Sequence, residues 1–427
     1  MWNPKIEAMP RGELRGMQFD RLKQWMTRVC ADVSFYRKTY GVLGITAEDI
    51  QHLSDLRKLP FLTKSDLRDH YPLGMLAVDR SQLRRIHVSS GTRGKPTVSA
   101  YTQADIDLWS DLCARSLTAA GVKPGDVVHN AYGYGLFTGG LGIHYGAEKL
   151  GAAVVPISGG RTQQQVMLLD DFRADVLTCT PSYAMNLGLA LEEANVPMHR
   201  LNLRIGIFGA EPWSEELRQQ LEAKLKVKAI DIYGLSEVLG PGVAIECLEA
   251  RDGLHIWEDQ FIVEVIDPQS LEPVEDGTVG ELVITTLNKE ALPLIRYRTG
   301  DVTSVTREPC LCGRTHARIQ RLKGRLDDML IVRGVNVYPS EIENVLLSLP
   351  ALTSQYQIVV SRDKALDEIK VRVEAESSTP AELVSDVISQ LKDSLGITAS
   401  VEILSPGSLP RSEGKALRVL DLRDEVN

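Results

Sequence analysis

Long apolar runs are missing from this 427-residue chain. No stretch approaches the roughly 20 consecutive apolar residues that a membrane-spanning helix needs. The N-terminus, Met1-Trp2-Asn3-Pro4-Lys5, leads into no apolar segment, which speaks against a secretory signal. Excess positive charge is missing too. Lys and Arg number 48 against 57 Asp and Glu, a net charge of −9, and no dense basic cluster occurs. A nucleic-acid binder presents a basic face, so neither nucleic acid nor membrane is an expected partner. Cysteine is sparse: six scattered residues, the usage of a reducing cytoplasm and not of a disulfide framework. Internal repeats and low-complexity segments are absent. What is present, 43% hydrophobic and 25% charged residues, supports packed cores in two or three domains.

The pattern along the chain is α/β. Residues 1–80 read as mainly helical and polar, broken at Pro60 and Pro72. Ile86–Val88 reads as a short strand. Thr102 then has the character of an N-cap, with Asp105 three residues on and Gly121 where a helix ends. Strands at 176–180, 203–208 and 229–232 alternate with helices at 183–194 and 215–225, the order expected of a sheet with ligand loops at its strand ends. From Phe261 to Thr285 the reading is β-rich. After Gly324 a βαββαβ order (strand 330–333, helix 340–348, strands 355–360 and 369–374, helix 380–394, strand 400–404) predicts a small α+β domain. The expected division is a large domain at 1–326 and a small one at 327–427.

Ser89-Ser90-Gly91-Thr92-Arg93-Gly94-Lys95-Pro96 has the composition of a phosphate cradle. Its glycines let backbone N–H groups approach an anion, its hydroxyls add donors and Lys95 adds charge. It is not the nucleotide loop of GTPases, which needs four residues between its glycines and a hydroxyl after the lysine. Alone, such an octet is as easily a polar surface turn. Farther along come Phe208-Gly209-Ala210-Glu211-Pro212, Tyr233-Gly234-Leu235-Ser236-Glu237, Tyr297-Arg298-Thr299-Gly300-Asp301, Gly324-Arg325-Leu326-Asp327-Asp328 and Pro410-Arg411-Ser412-Glu413-Gly414-Lys415.

This ordered set resembles the adenylate-forming superfamily of acyl-CoA synthetases, peptide-synthetase adenylation domains and luciferases. Within it the chain resembles the phenylacetate-CoA ligases, through Asn130–Gly140, Pro181-Ser182-Tyr183, Gly206–Trp213 and Arg333–Pro339. The family loop usually carries Thr where this chain has Arg93, which adds a cation beside the phosphates.

The resemblance implies ATP, coenzyme A and Mg²⁺ as cofactors and substrates, an acyl-adenylate intermediate, a cytoplasmic homodimer and an aryl acetic acid substrate. It implies roles by position. Lys415 meets the carboxylate and α-phosphate, and Glu237 is the magnesium-associated acid. Ser89 to Thr92, Gly94 and Lys95 hold phosphates. Gly209, Ala210, Glu211 and Pro212, with Asp231, Ile232, Tyr233 and Gly234, form the adenine slot. Asp301 takes the ribose hydroxyls, Arg325 ribose and phosphates, and Asp327 is the hinge of the small domain. Tyr132, Tyr134 and Phe137, with Ala210, Ile232 and Pro241, enclose the acid. Aromatics are 6% of the chain, so three within six glycine-rich residues is an enrichment that suits a flat slot. Two other readings share the nucleotide motifs: an adenylation domain that loads a carrier protein, and a non-catalytic nucleotide-binding regulator. Retention of Lys415, Asp301 and Glu237 argues against the second.

Cys247, His255, Cys310 and Cys312 form a separate set. Two cysteines from one turn, with a cysteine and a histidine from elsewhere, make the ligand complement of a structural Cys₃His zinc site. The C-x-C spacing is tighter than the usual C-x₂-C, and reduced, unconnected cysteines are the alternative.

Overall fold

A computed structural model describes residues 1–89, 96–332, 335–363, 366–376 and 382–423. The chain forms two compact units, one of residues 1–158 and 230–321, the other of 159–229 and 322–427.

The first unit begins with helices Arg11–Asp32 and Ser34–Leu43. Helix Gln103–Ala119 starts where its cap predicts. Thr102 Oγ1 accepts from Asp105 N at 3.1 Å, and Asp105 Oδ2 accepts from Thr102 N at 2.9 Å. Gly121, just past the helix, takes φ +89°, the left-handed conformation glycine supplies at such ends. Strands Val127–Asn130 and Ala153–Val155 pair in parallel across the helix Gly139–Leu150. A ladder follows in which Lys228–Leu235, Gly240–Glu246, Leu254–Ile256, Arg318–Ile319 and Val305–Thr306 pair antiparallel in that order. The β-rich region is an antiparallel set of Phe261–Ile266, Gly280–Thr286 and Tyr297–Thr303.

In the second unit, strands Val176–Cys179 and Ile205–Gly209 run parallel, each followed by a helix, Pro181–Glu193 and Glu215–Leu225. The C-terminal sheet has the order Ala399–Leu404, Leu366–Ala375, Leu352–Asp363, Val419–Asp421. Alternation along the second of these strands turns Ile369, Val371, Val373 and Ala375 into the core, against Leu383, Val387 and Leu391 of helix Glu382–Leu395. The expected strand at 330–333 is present over Leu330–Val332, but it forms a hairpin with Val335–Val337 and stays out of this sheet. Its place beside Leu352–Asp363 is taken by Val419–Asp421, a strand too short for a period-2 signal to reveal.

Glu343 on helix Pro339–Leu347 is buried here, with Arg418 Nη2 at 3.7 Å. Burial pushes its carboxyl up to about 7; Arg418 opposes the shift, while nearby Glu211 adds to it. An acid with a raised native pKa stabilises the fold below its unfolded pKa and loses that contribution as pH climbs through the native one. The wild type is therefore expected to lose stability with a slope contribution of about 1.4 kcal/mol per pH unit between roughly pH 4.5 and 7. Glu343→Gln should lack that contribution. Denaturant midpoints measured across this window check it; parallel profiles for the two proteins would refute the assignment.

Candidate active site and cysteine–histidine centre

Strand Lys228–Leu235 delivers Asp231, Ile232, Tyr233 and Gly234, and the turn after it delivers Ser236 and Glu237. A Cβ on Gly234 would meet the Gly240 carbonyl oxygen at 1.9 Å, so glycine is required for the chain to double back here. Asp231 N donates to Glu246 at 2.8 Å, and Arg321 lies 3.9 Å from the Asp231 carboxylate. Tyr233 Oη donates to Asp301 Oδ2 at 2.6 Å, and both residues are buried. The structure thus brings together two residues 68 positions apart that the sequence assigned to one nucleotide. Asp301 is presented by strand Tyr297–Thr303, which is braced where Arg298 Nε and Nη2 grip Glu281 at 2.8 and 2.6 Å.

Glu237 is 5% exposed, with Lys64 Nζ at 3.8 Å from its carboxylate. Its turn is pinned by side chains. Tyr101 Oη donates to Ser236 O at 3.0 Å, and Ser236 Oγ lies 3.1 Å from Thr138 Oγ1. Lys289 Nζ donates to the Glu237 carbonyl and, at 3.0 Å, bonds Ser99 Oγ. Sequence reasoning missed Lys289. It is fully buried, and burial pulls its ammonium down to about 8 against the pull of Asp105 and Glu237. Nothing in Asn288-Lys289-Glu290 marks the lysine as buried.

Three of the expected acid-binding residues, Tyr132, Tyr134 and Phe137, occupy the glycine-rich segment of the same unit. Tyr132 is buried, while Phe137 is 43% exposed and its ring fills the space beside Gly139, where a Cβ would come within 2.3 Å of it. Tyr134 Oη accepts from Asn130 Nδ2 at 2.7 Å and lies 3.1 Å from His144 Nδ1; burial pushes the phenol up to about 12. Pro241 packs its ring beside Gly142, and its carbonyl accepts from Trp109 Nε1 at 2.9 Å.

The second unit carries the other half of the assigned residues. Strand Ile205–Gly209 ends in Ala210, which holds φ +71°, a conformation that costs an L-residue of order 1–2 kcal/mol. Glu211 and Pro212 follow. Arg325 forks Asp327, Nε to Oδ1 at 2.8 Å and Nη2 to Oδ2 at 3.2 Å, and Asp327 is exposed. Lys415 is exposed on a loop tied at both ends. At its start, buried Glu374 accepts from Gly407 N at 3.0 Å, Leu409 N at 2.7 Å and both Arg411 Nη atoms at 2.9 and 2.8 Å. Toward its end, Gly414 O accepts from Thr180 Oγ1 at 2.9 Å and Ser182 Oγ at 3.2 Å. Glu211 Oε2 accepts from Ala416 N at 3.0 Å and its Oε1 from Ser182 N at 2.7 Å. Ser90 to Lys95 of the phosphate cradle, with Arg333 and Gly334, lie outside the described residues. Ser89 is described, and its N donates to Thr97 O at 2.9 Å.

The cysteine–histidine set does converge. One ligand atom from each of Cys247, His255, Cys310 and Cys312 lies within 4.8 Å of the others. Cys247 Sγ is 3.7 Å from Cys310 Sγ, and Cys312 Sγ is 3.3 Å from His255 Nε2. An ion with metal–sulfur bonds of about 2.3 Å sets tetrahedral edges near 3.5–3.8 Å, so these spacings suit one and are far too long for disulfides. Pairing of Ile245 with His255 in the ladder brings the first two ligands together. Gly313, φ +78°, turns the C-x-C loop back toward them. A hydrogen bond from Cys247 holds the Cys312 thiol well down, and the same bond holds Cys247 up. Burial disfavours a charged His255, but its bonds to Cys310 and Cys312 outweigh burial and raise it. Its Nδ1 faces His316 O at 3.4 Å, leaving Nε2 for the ion. Three sulfurs and one imidazole form a donor set that fits zinc.

Known proteins resemble the chain over nearly its whole length. The model of AMP-binding enzymes matches residues 75–288, and that of the AMP-binding enzyme C-terminal domain matches 334–423. The phenylacetate-coenzyme A ligase of Thermus thermophilus is 50% identical, covering 99% of this chain and 100% of that protein. The Escherichia coli enzyme of the same name is 49% identical, covering 99% and 98%. A solved structure of 2-hydroxyisobutyryl-CoA ligase in the postadenylation state with its acyl-AMP aligns with TM-score 0.93 at 30% identity, over 99% of this chain and 92% of that one. The same enzyme in its thioesterification state, with acyl-AMP and CoA, aligns with TM-score 0.74 over the same shares. The chain belongs to the phenylacetate-coenzyme A ligase family of AMP-binding, adenylate-forming enzymes.

Proposed function

We propose that the chain is an ATP-dependent, AMP-forming aryl acid–coenzyme A ligase with phenylacetate as its acid, acting in aromatic acid catabolism. The observation that carries this is near-50% identity over essentially the whole length of phenylacetate-coenzyme A ligases. In the first half-reaction a carboxylate oxygen attacks the α-phosphorus of ATP and pyrophosphate leaves. In the second the thiolate of coenzyme A attacks the acyl carbonyl and AMP leaves. Both steps need positioning and charge stabilisation more than covalent chemistry from the protein.

Tyr233 stacks on adenine and Asp301 accepts from the ribose hydroxyls. Their 2.6 Å bond fixes the ring edge relative to the carboxylate. Ser89 to Thr92, Gly94 and Lys95 cradle the phosphates, Arg325 contacts ribose and phosphate, and Glu237 holds the Mg²⁺ that neutralises them. Gly209 to Pro212 and Asp231 to Gly234 shape the adenine slot. Tyr132, Phe137, Ala210, Ile232 and Pro241 enclose the aryl ring. Lys415 supplies the point cation for the developing charge. Residues 327–427 act as a small domain that reorients about Asp327 between the half-reactions. Cys247, His255, Cys310 and Cys312 hold a structural zinc ion. The same reading makes the protein a cytoplasmic homodimer working on small molecules. Among the described residues no helix is long and apolar enough to cross a membrane.

The test is acid-dependent ATP–pyrophosphate exchange across a panel of aryl and alkyl acids, followed by thioester formation with free coenzyme A. Phenylacetate is expected to lead the panel and yield phenylacetyl-CoA. Exchange without thioester would favour a carrier-protein loader; no exchange with any acid would favour a non-catalytic nucleotide binder. One methylene more or less shifts an apolar slot by roughly 1–3 kcal/mol, so neighbouring aryl acids should trail by ten- to a hundredfold.

A further inference from the structure

Lys415 is a flexible side chain on an exposed loop, yet the peptide groups on both sides of it are fixed within the second unit. The carbonyl before it, Gly414 O, accepts two hydroxyl donors, Thr180 Oγ1 at 2.9 Å and Ser182 Oγ at 3.2 Å. The amide after it, Ala416 N, donates to Glu211 Oε2 at 3.0 Å. Two residues upstream, Ser412 O accepts from Asn186 Nδ2 at 2.6 Å. Three of these partners belong to one structural feature: Thr180 is the N-cap of helix Pro181–Glu193, and Ser182 and Asn186 lie in its first two turns. Glu211 is tied to the same feature, because its other oxygen accepts from Ser182 N at 2.7 Å. All but Glu211 are at least nine-tenths buried.

We propose that Thr180, Ser182, Asn186 and Glu211 form a latch that seizes the backbone of the Lys415 loop for adenylation and must release it for thioester formation; they are positioning residues, not catalytic ones. This rests on the ligase reading above and adds to it the groups that aim the lysine. The bonds go to backbone atoms, so the latch sets the origin of the Lys415 side chain without touching its ammonium. Every bond but one is neutral, donated by a hydroxyl or an amide. Such bonds are individually modest and can be exchanged for water, as a latch that opens each turnover requires. Glycine at 160 keeps the seat open. A Cβ on Gly160 would come within 2.9 Å of the Glu413 carboxylate, and Gly160 holds φ +77°.

The experiment uses the full chain with Asn186→Ala and the isosteric Asn186→Asp, which places an acceptor against the Ser412 carbonyl. Two half-reactions are measured: phenylacetate-dependent pyrophosphate exchange, and thioester formation from synthetic phenylacetyl-adenylate and coenzyme A. The expected result is a roughly three- to tenfold lower kcat for exchange with Asn186→Ala and a larger loss with Asn186→Asp. KM for ATP should hold and thioester formation should be unchanged. A merely structural role would depress both half-reactions together, and that result, or no change in either, overturns the latch. Hydrogen exchange of the 412–417 amides supplies a readout independent of turnover. It should quicken at least tenfold in both variants, and unaltered protection there overturns the latch even if the wild type proves to activate no acid, an outcome that would defeat the ligase reading separately.

Discussion

Lys415→Ala is expected to cut acid-dependent pyrophosphate exchange by about 10²–10³-fold, the range seen when one preorganised charge-stabilising group is removed from a site. The loop around Lys415 is anchored on Glu374 at one end and on Glu211, Thr180 and Ser182 at the other. The backbone from which the side chain projects is thus fixed before substrate arrives. A preorganised cation gains most where charge develops, at the carboxylate oxygen and α-phosphate as the new bond forms, and less in the ground state. The loss should therefore fall on kcat, with KM for ATP shifted only a few-fold. Lys415 is exposed, so Tm should stay within about a degree of the wild type, which separates lost chemistry from lost folding. Thioester formation from synthetic acyl-adenylate should proceed near the wild-type rate, because the phosphate bond that Lys415 serves is already made. Exchange within threefold of wild type would remove Lys415 from the reaction.

What the sequence could reveal differs by the range of the signal. Helix Glu215–Leu225 and the capped start at Thr102 were readable to the residue, since caps and 3.6-residue periodicity act within a few positions. The two halves of the nucleotide reading, Tyr233 and Asp301, were readable through motif order, and the fold joins them directly. The latch was not. Asn186 and Ser412 are 226 residues apart, and the bond between them runs from a side chain to a backbone carbonyl, which demands no particular residue type at 412 and leaves no pattern. Pro181-Ser182-Tyr183 marked the subfamily, but only the structure shows Ser182 bonding the loop and Tyr183 Oη bonding Gly160 O at 2.9 Å. Lys289 was equally hidden, because a buried lysine looks like any surface lysine until its neighbours are known. The cysteine–histidine set falls between these cases. Residue type and rough spacing pointed to it, whereas the convergence of the four side chains depends on the pairing of Ile245 with His255 in the ladder.

Removing the metal from that centre is expected to have the largest effect on stability. The purified protein should carry one zinc ion per chain, and prolonged chelation or Cys312→Ser should lower stability by on the order of 3–5 kcal/mol, roughly 5 °C in Tm. The reason lies in what the C-x-C loop supports. From Cys310 and Cys312 the chain runs directly into Arg314, whose Nε donates to the fully buried Glu7 at 2.7 Å. Thr315 N then bonds Glu7 O at 3.0 Å, and His316 Nε2 lies 3.0 Å from Ile6 O. Without an ion, three sulfurs and an imidazole are crowded within 4.8 Å with no cation to offset their desolvation. The loop would then relax outward and expose the Arg314–Glu7 pair, a buried ion pair whose disruption is itself costly. Loss of the metal should thus free residues 3–9 as well, which limited proteolysis would report as a new N-terminal cut. Cys30→Ser, a change remote from the cluster, should leave metal content and Tm unaltered. Protein that contains no zinc by elemental analysis, or whose Tm ignores both chelation and Cys312→Ser, would show that the four residues are merely packed side chains. Activity should fall only in step with unfolding, since the four ligands are distinct from every residue assigned to ATP, acid or coenzyme A.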